Sequence, residues 1–374
     1  MNDDDRQFLL FLEEIPDPRY DRCKLHRLSH VIYMALFGWV CGAKTWIDVW
    51  YYCDAHEQFL VELLGLKNGI PSVSTFRRCL AYVSYDMLQR LLIRQADAQH
   101  PDLNGKTIAI DGKALRGSAS PASGQRAFHS LNAFITDTHT VLRQQFGDCK
   151  DAELTMIPEL LDTLDVKGAT LTMDAMACQS SITDTIISRK ADYVIGLKMN
   201  QPTAYNEVTQ LFTLKDVNPD SWQELDKGHG RLECRSYLSI DVQKYALPSL
   251  EKFTGIRSIT RVNSVVEKNG KQSQEYRYYI SSHKATAKEI GGIIRAHWTI
   301  ENSLHYVLDV VFGEDDSTIR KKPLAANTAL LRKICLNIIK THKTDKEKNK
   351  KVMIKALTNP HYAHSLIAHL GLHS

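Results

Sequence analysis

KTIAID, from Lys106 to Asp111, is the stretch that decides how this chain folds. It is an apolar run of strand length that closes on a carboxylate, and the pattern changes at this point. Upstream, apolar residues recur at helical spacing; downstream, strand-length runs alternate with helical ones. Ala127 to Thr136 and Thr140 to Phe146 read as two further strands, Glu153 to Leu164 as a helix and Ala169 to Asp174 (ATLTMD) as a strand. Ser180 to Lys190 then reads as a helix and Asp192 to Lys198 (DYVIGLK) as a strand. Three strands followed by alternating helix and strand predict an α/β fold with a mixed sheet flanked by helices.

Working outward, residues 1–100 form a helical N-terminal region, with apolar periodicity over Arg27 to Gly42 and Ile47 to Leu64. Gly69 to Ala81 (GIPSVSTFRRCLA) offers Ser72 and Ser74 as caps for a short helix carrying Arg77 and Arg78. This is either the second helix of a DNA-binding helix-turn-helix or an ordinary helix hairpin. On the other side, residues 205–283 are β-rich: Leu232 to Val242, then a hairpin of Ser258 to Val266 and Ser273 to Ser281 about Asn269-Gly270. Helical periodicity returns from Thr286 to Phe312, with Gly313 as a stop, and again over Ala325 to Lys340. The expected organisation is a core domain over 101–374, split by a β-rich insertion and closed by a basic helical segment over 320–374.

The 374 residues, 43% hydrophobic, are enough for a sizeable core. Eight cysteines without a CxxC pair point to a reduced, cytoplasmic protein. The acidic start MNDDDR lacks the features of an export signal, and the longest apolar run, Val31 to Ala43, is too short for a bilayer and reads as a buried helix. No membrane role is expected. Net charge is only +4, but Arg320 to Lys355 carries twelve Lys or Arg against Asp345 and Glu347, a local +10 that leaves −6 elsewhere. That asymmetry suggests a polyanion partner, or else a solvated basic surface.

Three acids stand out. Asp111 and Asp174 each close an apolar strand, where an unpaired charge is costly. Glu301 falls among Ile290, Ile294, His297, Leu304, Leu308 and Val311, one face of the predicted helix, and is therefore expected to point into the core. Each has a plainer reading: Asp111-Gly112 as a turn, Glu301 as a carboxylate satisfied by a buried partner. His297, Glu301 and His305 also share a helical face, so a zinc site is an alternative. Taken together, three oxygen donors favour Mg²⁺ or Mn²⁺, and two such ions assist phosphoryl transfer.

The runs Ile108 to Ser118 (IAIDGKALRGS), Thr172 to Gln179 (TMDAMACQ), Asp192 to Gln201 (DYVIGLKMNQ), His229 to Arg235 (HGRLECR) and Arg295 to Arg320 resemble the H-repeat-associated transposases. Ile15 to Tyr20 (IPDPRY) and Gly69 to Arg78 are similar to the N-terminal domain associated with them. These are bacterial insertion-sequence DDE transposases. The resemblance implies an RNase H-like core with a β-rich insertion before the last acid, and makes Asp111, Asp174 and Glu301 the catalytic metal ligands for Mg²⁺ or Mn²⁺, two ions in all. It implies double-stranded DNA, as element ends and target, for a partner, a homodimer in the synaptic complex, and a cytoplasmic protein associated with the nucleoid when DNA-bound.

Related enzymes carry Tyr, Arg, Glu and Lys around the last acid, whereas this chain has Ile294, His297, Glu301 and Leu308. His297, Asn302 and His305 are the expected substitutes as phosphate contacts. Lys113, Arg116, Lys198, Asn200, Gln201, His229 and Arg231 are further expected DNA contacts, each with a surface-charge alternative. Asp309, Glu314 and Asp315 are rival acids; Asp309 lies off the central stripe.

Overall fold

The computed structural model describes residues 3–20, 22, 24–228, 231–284, 286–344 and 347–368. Six helices come first: α1 (Asp3–Glu13), α2 (Leu28–Val40), α3 (Trp46–Ala55), α4 (Glu57–Leu64), α5 (Val73–Tyr82) and α6 (Tyr85–Gln99). The expected helix over 47–64 is broken at His56, which has left the helical backbone region (φ −118°, ψ 25°). Ser72 caps α5 by accepting from the Thr75 N–H at 3.3 Å, one of the two expected caps. The long apolar run lies in α2, almost wholly buried, as its composition predicts. No helix of the described residues is long and apolar enough to cross a membrane.

The core then runs β1 (Thr107–Leu115), β2 (Phe128–Ile135), β3 (Val141–Gly147), α7 (Glu153–Asp162), β4 (Thr170–Met173), α8 (Ser180–Ser188), β5 (Asp192–Leu197) and α9 (Pro202–Leu211). Strands β1, β2 and β3 pair antiparallel, while β4 lies parallel to β1 and β5 parallel to β4. This is the mixed α/β arrangement of an RNase H-like sheet. Strand alternation sorts the faces: Ile108 and Ile110 join the core made with α7 and α8, while Ala109 joins the core made with the N-terminal helices.

Strands β6 (Asp220–Gly228), β7 (Arg231–Asp241), β8 (Ser258–Lys268) and β9 (Lys271–Ser281) follow. Asn269 and Gly270 take φ of 51° and 71°, the left-handed turn their pairing predicts. Strand β6 escapes the sequence pattern because it is a largely exposed edge strand with no fully buried residue. Nor is the β-rich segment a separate sheet. Strand β9 pairs antiparallel with β5, giving one nine-stranded sheet in the order β3-β2-β1-β4-β5-β9-β8-β7-β6.

The expected helix over 286–312 is three pieces: α10 (Ala287–His297), a π-helical turn (Glu301–His305) and α11 (Tyr306–Val310). The capping box of Thr286 and Glu289 starts α10, and Gly313 at φ 61° ends the run. Helices α12 (Lys322–His342), α13 (Asn349–Thr358) and α14 (Pro360–Ala368) complete the described residues. Helix α12 runs through the middle of the helical layer, packing on α2, α5 and α6. The basic segment is therefore not a uniformly solvated face: Arg332 and Lys333, two of its twelve cations, are buried in α12.

Candidate active site

The register of β1 and β4 brings the first two acids together. Their last parallel partners are Ile110 and Met173, so Asp111 and Asp174 are the next residues on neighbouring strands, roughly 4.8 Å apart in the pairing direction. Asp111 is not the end of its strand as expected. Strand β1 continues to Leu115 on its pairing with β2, and Asp111 marks only where the parallel partner leaves.

Asp174 begins a 3₁₀ turn, Ala175–Ala177. Two side chains beyond β5 hold that turn: Asn200 Nδ2 donates to the Ala175 carbonyl at 2.6 Å and Gln201 Nε2 to the Cys178 carbonyl at 2.8 Å. Gly196 leaves room for it, since a Cβ there would stand 3.1 Å from the Ala175 nitrogen. Asn200 and Gln201, expected as DNA contacts, thus spend these amides on backbone beside Asp174. Gln201 also accepts from Lys252 Nζ at 2.6 Å.

The burial expected of the acids is corrected for two of them. The Asp174 side chain is 71% exposed and that of Glu301 51%. For Glu301 the cause is the π-turn, whose extra residue moves the buried stripe from Ile290 and Ile294 to Ile300, Leu304, Leu308 and Phe312, leaving Glu301 beside the stripe. Local insertions of this kind are invisible to a constant 3.6-residue period.

Two histidines flank the acids. His305 Nδ1 lies 3.2 Å from Glu301 Oε2 and 3.6 Å from Asp111 Oδ2, while His297 Nε2 is 4.0 Å from Asp174 Oδ1. Burial, then the charges of Glu301 and Asp174, push the Asp111 carboxyl well above the usual range. The hydrogen bond from His305 holds Glu301 below it, and burial lowers His297. Two carboxylates and an imidazole converge, with ligand atoms of Asp111, Glu301 and His305 all within 4.8 Å of one another, and Asp174 stands beside Asp111 on the neighbouring strand end. That donor set fits a divalent cation, which would offset the burial and neighbouring negative charges that raise Asp111.

Lys113 does not face DNA as expected. Two residues along β1 from Asp111, its side chain is only 7% exposed, and its Nζ lies 2.6 Å from Asp309, 2.9 Å from Asp315 and 3.5 Å from Glu314. The rival acids are thus its counter-charges. Glu314 is fully buried, with Arg332 and Lys333 each 4.0 Å away. Arg116 is 82% exposed beside Asp315, and Lys198 and Asn302 are exposed as well. Arg77 and Arg78 lie exposed on α5, and Arg231 sits 3.3 Å from Glu233. His229 lies outside the described residues.

Sequence reasoning missed three contributors. His129 on β2 contacts Glu153 at the start of α7, over Gly112, where a Cβ would meet both side chains. Lys340 of α12 donates to the carbonyl oxygen of Ser303, inside the π-turn, at 2.8 Å and to that of His139 at 2.9 Å. Its only sequence signal was membership in a basic run. The Gly112 of Asp111-Gly112 was a usable signal for close packing, but the pair reads equally as a turn.

Comparison with known proteins agrees with this geometry. The model of the family described as "Transposase DDE domain" matches residues 103–338, and that described as "DDE_Tnp_1-associated" matches residues 9–95. YbfL of Escherichia coli (strain K12) is 34% identical over 96% of this chain and 97% of its own. The H repeat-associated protein YhhI of the same strain is 33% identical over the same shares. A solved piggyBac transposase synaptic complex with hairpin DNA overlaps 98% of this chain and 79% of its own at a TM-score of 0.45 and 11% identity, too weak a likeness to argue from. The family match over residues 103–338 and the relatives at 33–34% identity over 96% of the chain, on a mixed sheet flanked by helices, mean that this chain belongs to the DDE transposases, in their H repeat-associated group.

Proposed function

We propose that this insertion-sequence transposase is an active, metal-dependent enzyme that cleaves DNA at the element ends and joins the freed ends to target DNA, with Asp111, Asp174 and Glu301 as its catalytic carboxylates. The observation that carries the reading is that Asp111 and Glu301 approach one another from β1 and the π-turn, while the strand register sets Asp174, just past β4, beside Asp111. Divalent ions, Mg²⁺ or Mn²⁺ and two in number, would be held by the three carboxylates and would polarise the phosphodiester and lower the pKa of the attacking hydroxyl.

The chain's own residues set up two successive displacements at phosphorus. In the first, water attacks and the bond to the 3′ oxygen breaks, leaving a 3′-OH. In the second, that 3′ oxygen attacks a target phosphodiester and displaces another 3′ oxygen. Asp174, being exposed, meets the DNA, and His297 keeps its side chain directed along the strand end. Arg116 and Lys198 neutralise phosphates beside the acids, with Asn302 and, in the β-rich extension, His229 and Arg231 as further contacts. Residues 1–100 bind DNA through α5, where Arg77 and Arg78 are exposed, and synapsis of two ends engages a homodimer. The reaction takes place on nucleoid DNA in the cytoplasm.

The test uses purified protein, DNA carrying the inverted repeats that flank its gene, and Mg²⁺ or Mn²⁺. Cleaved and joined products are expected, and both are lost in Asp174→Ala. Normal joining by that variant overturns the site. DNA binding with no cleavage at any metal concentration would mark a remnant, and cut but never joined products a nuclease.

A further inference from the structure

We propose that His305 is the third protein ligand of the ion held by Asp111 and Glu301, and that its nitrogen makes this site prefer Mn²⁺ to Mg²⁺; the inference rests on the metal-dependent reading above. Its Nδ1 stands 3.2 Å from Glu301 Oε2 and 3.6 Å from Asp111 Oδ2. Neighbouring ligands at about 2.1 Å from an octahedral ion are roughly 3 Å apart. The three groups are therefore spaced like adjacent ligands, and small side-chain shifts close the set.

The ring is fixed in this role by its surroundings. His305 is 6% exposed and sits at the end of the π-turn, between Leu304 and α11, so it cannot turn to solvent without opening the core. Its Nε2 is buried without an acceptor, and both oxygens of the fully buried Glu314 are without a hydrogen-bond donor. Burial opposes ionisation of Glu314, yet Lys333, Lys113, Arg332 and, least, His305 hold it ionised. A metal-bound imidazole normally gives its other N–H to a carboxylate or carbonyl, and Glu314, whose carboxyl His305 helps to hold ionised, is a buried carboxylate with no donor of its own. His297, the other histidine, faces Asp174 instead and stands outside this donor set.

An imidazole changes which ion fits. Mg²⁺ takes oxygen ligands and keeps much of its water, whereas first-row transition ions accept nitrogen, and of these Mn²⁺ is the one that carboxylates also suit. The π-turn then has a chemical reason: it brings Glu301 out of the apolar stripe while keeping His305 inside, so that an oxygen and a nitrogen from one turn meet Asp111.

The test is pulsed electron paramagnetic resonance of Mn²⁺ bound to the full-length protein, together with Mn²⁺ and Mg²⁺ titrations in the absence of DNA. Nitrogen modulation of the Mn²⁺ echo is expected, shifting to ¹⁵N frequencies when the histidines are ¹⁵N-labelled, a readout that needs no variant. His305→Ala, or His305→Gln if the first does not fold, removes the modulation and weakens Mn²⁺ on the order of tenfold or more. Mg²⁺ binding changes less, and His297→Ala keeps the modulation. Mn²⁺ that is bound in an Asp111-dependent way without nitrogen modulation overturns the role of His305 alone, as does modulation that survives in His305→Ala. Absence of any Mn²⁺ binding overturns this inference and the metal-dependent reading together.

Discussion

Lys340 Nζ, on α12, donates to the carbonyl oxygen of Ser303 at 2.8 Å, midway between Glu301 and His305 in the π-turn. The ammonium also reaches the His139 carbonyl and lies 5.0 Å from the centre of the Phe134 ring, so α12, the β2–β3 turn and the acid-bearing turn meet at one atom. Lys340→Met removes both donors. Cleavage is expected to fall roughly 5–30-fold, as for 1–2 kcal/mol of lost positioning, with DNA affinity unchanged. Single-turnover cleavage and a DNA-binding titration on the same variant check it, and equal losses in both would refute it.

Burial, aided slightly by Lys343, lowers Lys340 to about 7, and burial lowers Lys333 to about 8. Both are ordinary lysines when unfolded, so between these values and the unfolded value the unfolded chain binds more protons. Stability should therefore rise with pH from about 7, by up to roughly 1.4 kcal/mol per unit for each lysine. The rise ends near pH 8.5, where thiols such as Cys41, pushed up by burial in the fold, begin to ionise in the unfolded chain. Urea unfolding at pH 7.0 and 8.5 measures the slope, and Lys340→Met should flatten it.

Lys113→Met leaves Asp309, Glu314 and Asp315 facing one another in the interior. Breaking a buried pair on one side costs about 3–5 kcal/mol, a large part of the stability of a typical domain. Arg116→Ala, exposed a few residues away, should stay within about 0.5 kcal/mol of wild type. Denaturant midpoints of the two variants give the comparison; similar midpoints would sink the account of Lys113 as a structural counter-charge.

Asn200→Ala cuts one hydrogen bond to the turn after Asp174. The stability cost should be about 1 kcal/mol, while metal-dependent cleavage falls further because Asp174 loses its support. Thermal melts set beside cleavage rates separate the two effects, and a proportionate loss of both would count against a positioning role.

Asp111→Asn removes one of three converging carboxylates, so with metal chelated it should melt at a higher temperature than wild type. With metal present the order should reverse, since an ion at a hundredfold its dissociation constant stabilises only the wild type, by about 2.7 kcal/mol. Paired melts with and without Mn²⁺ decide this.

Much of the fold was legible because period and punctuation carry it. KTIAID and ATLTMD are strands whose apolar alternation leaves few other options, Asn269-Gly270 imposes its turn, and Ser72 caps its helix. Strand β6 was hidden because an exposed edge strand need not be apolar. Lys113, Asn200 and Gln201 looked like DNA contacts because spacing says nothing about whether a polar side chain meets phosphate, carboxylate or backbone.

By itself the sequence determined most of the strand-and-helix order, β6 and the helix breaks excepted, and the β-rich segment before the last acid, and it singled out three acids as candidates, since each follows from local chemistry. Tertiary structure alone decided how they stand. The β1–β4 register sets Asp111 beside Asp174, and the π-turn lifts Glu301 out of the stripe while holding His305 within it. Pairing register and a one-residue helical insertion depend on contacts with distant segments, such as that between Ser303 and Lys340, 37 positions apart, and no local pattern encodes them.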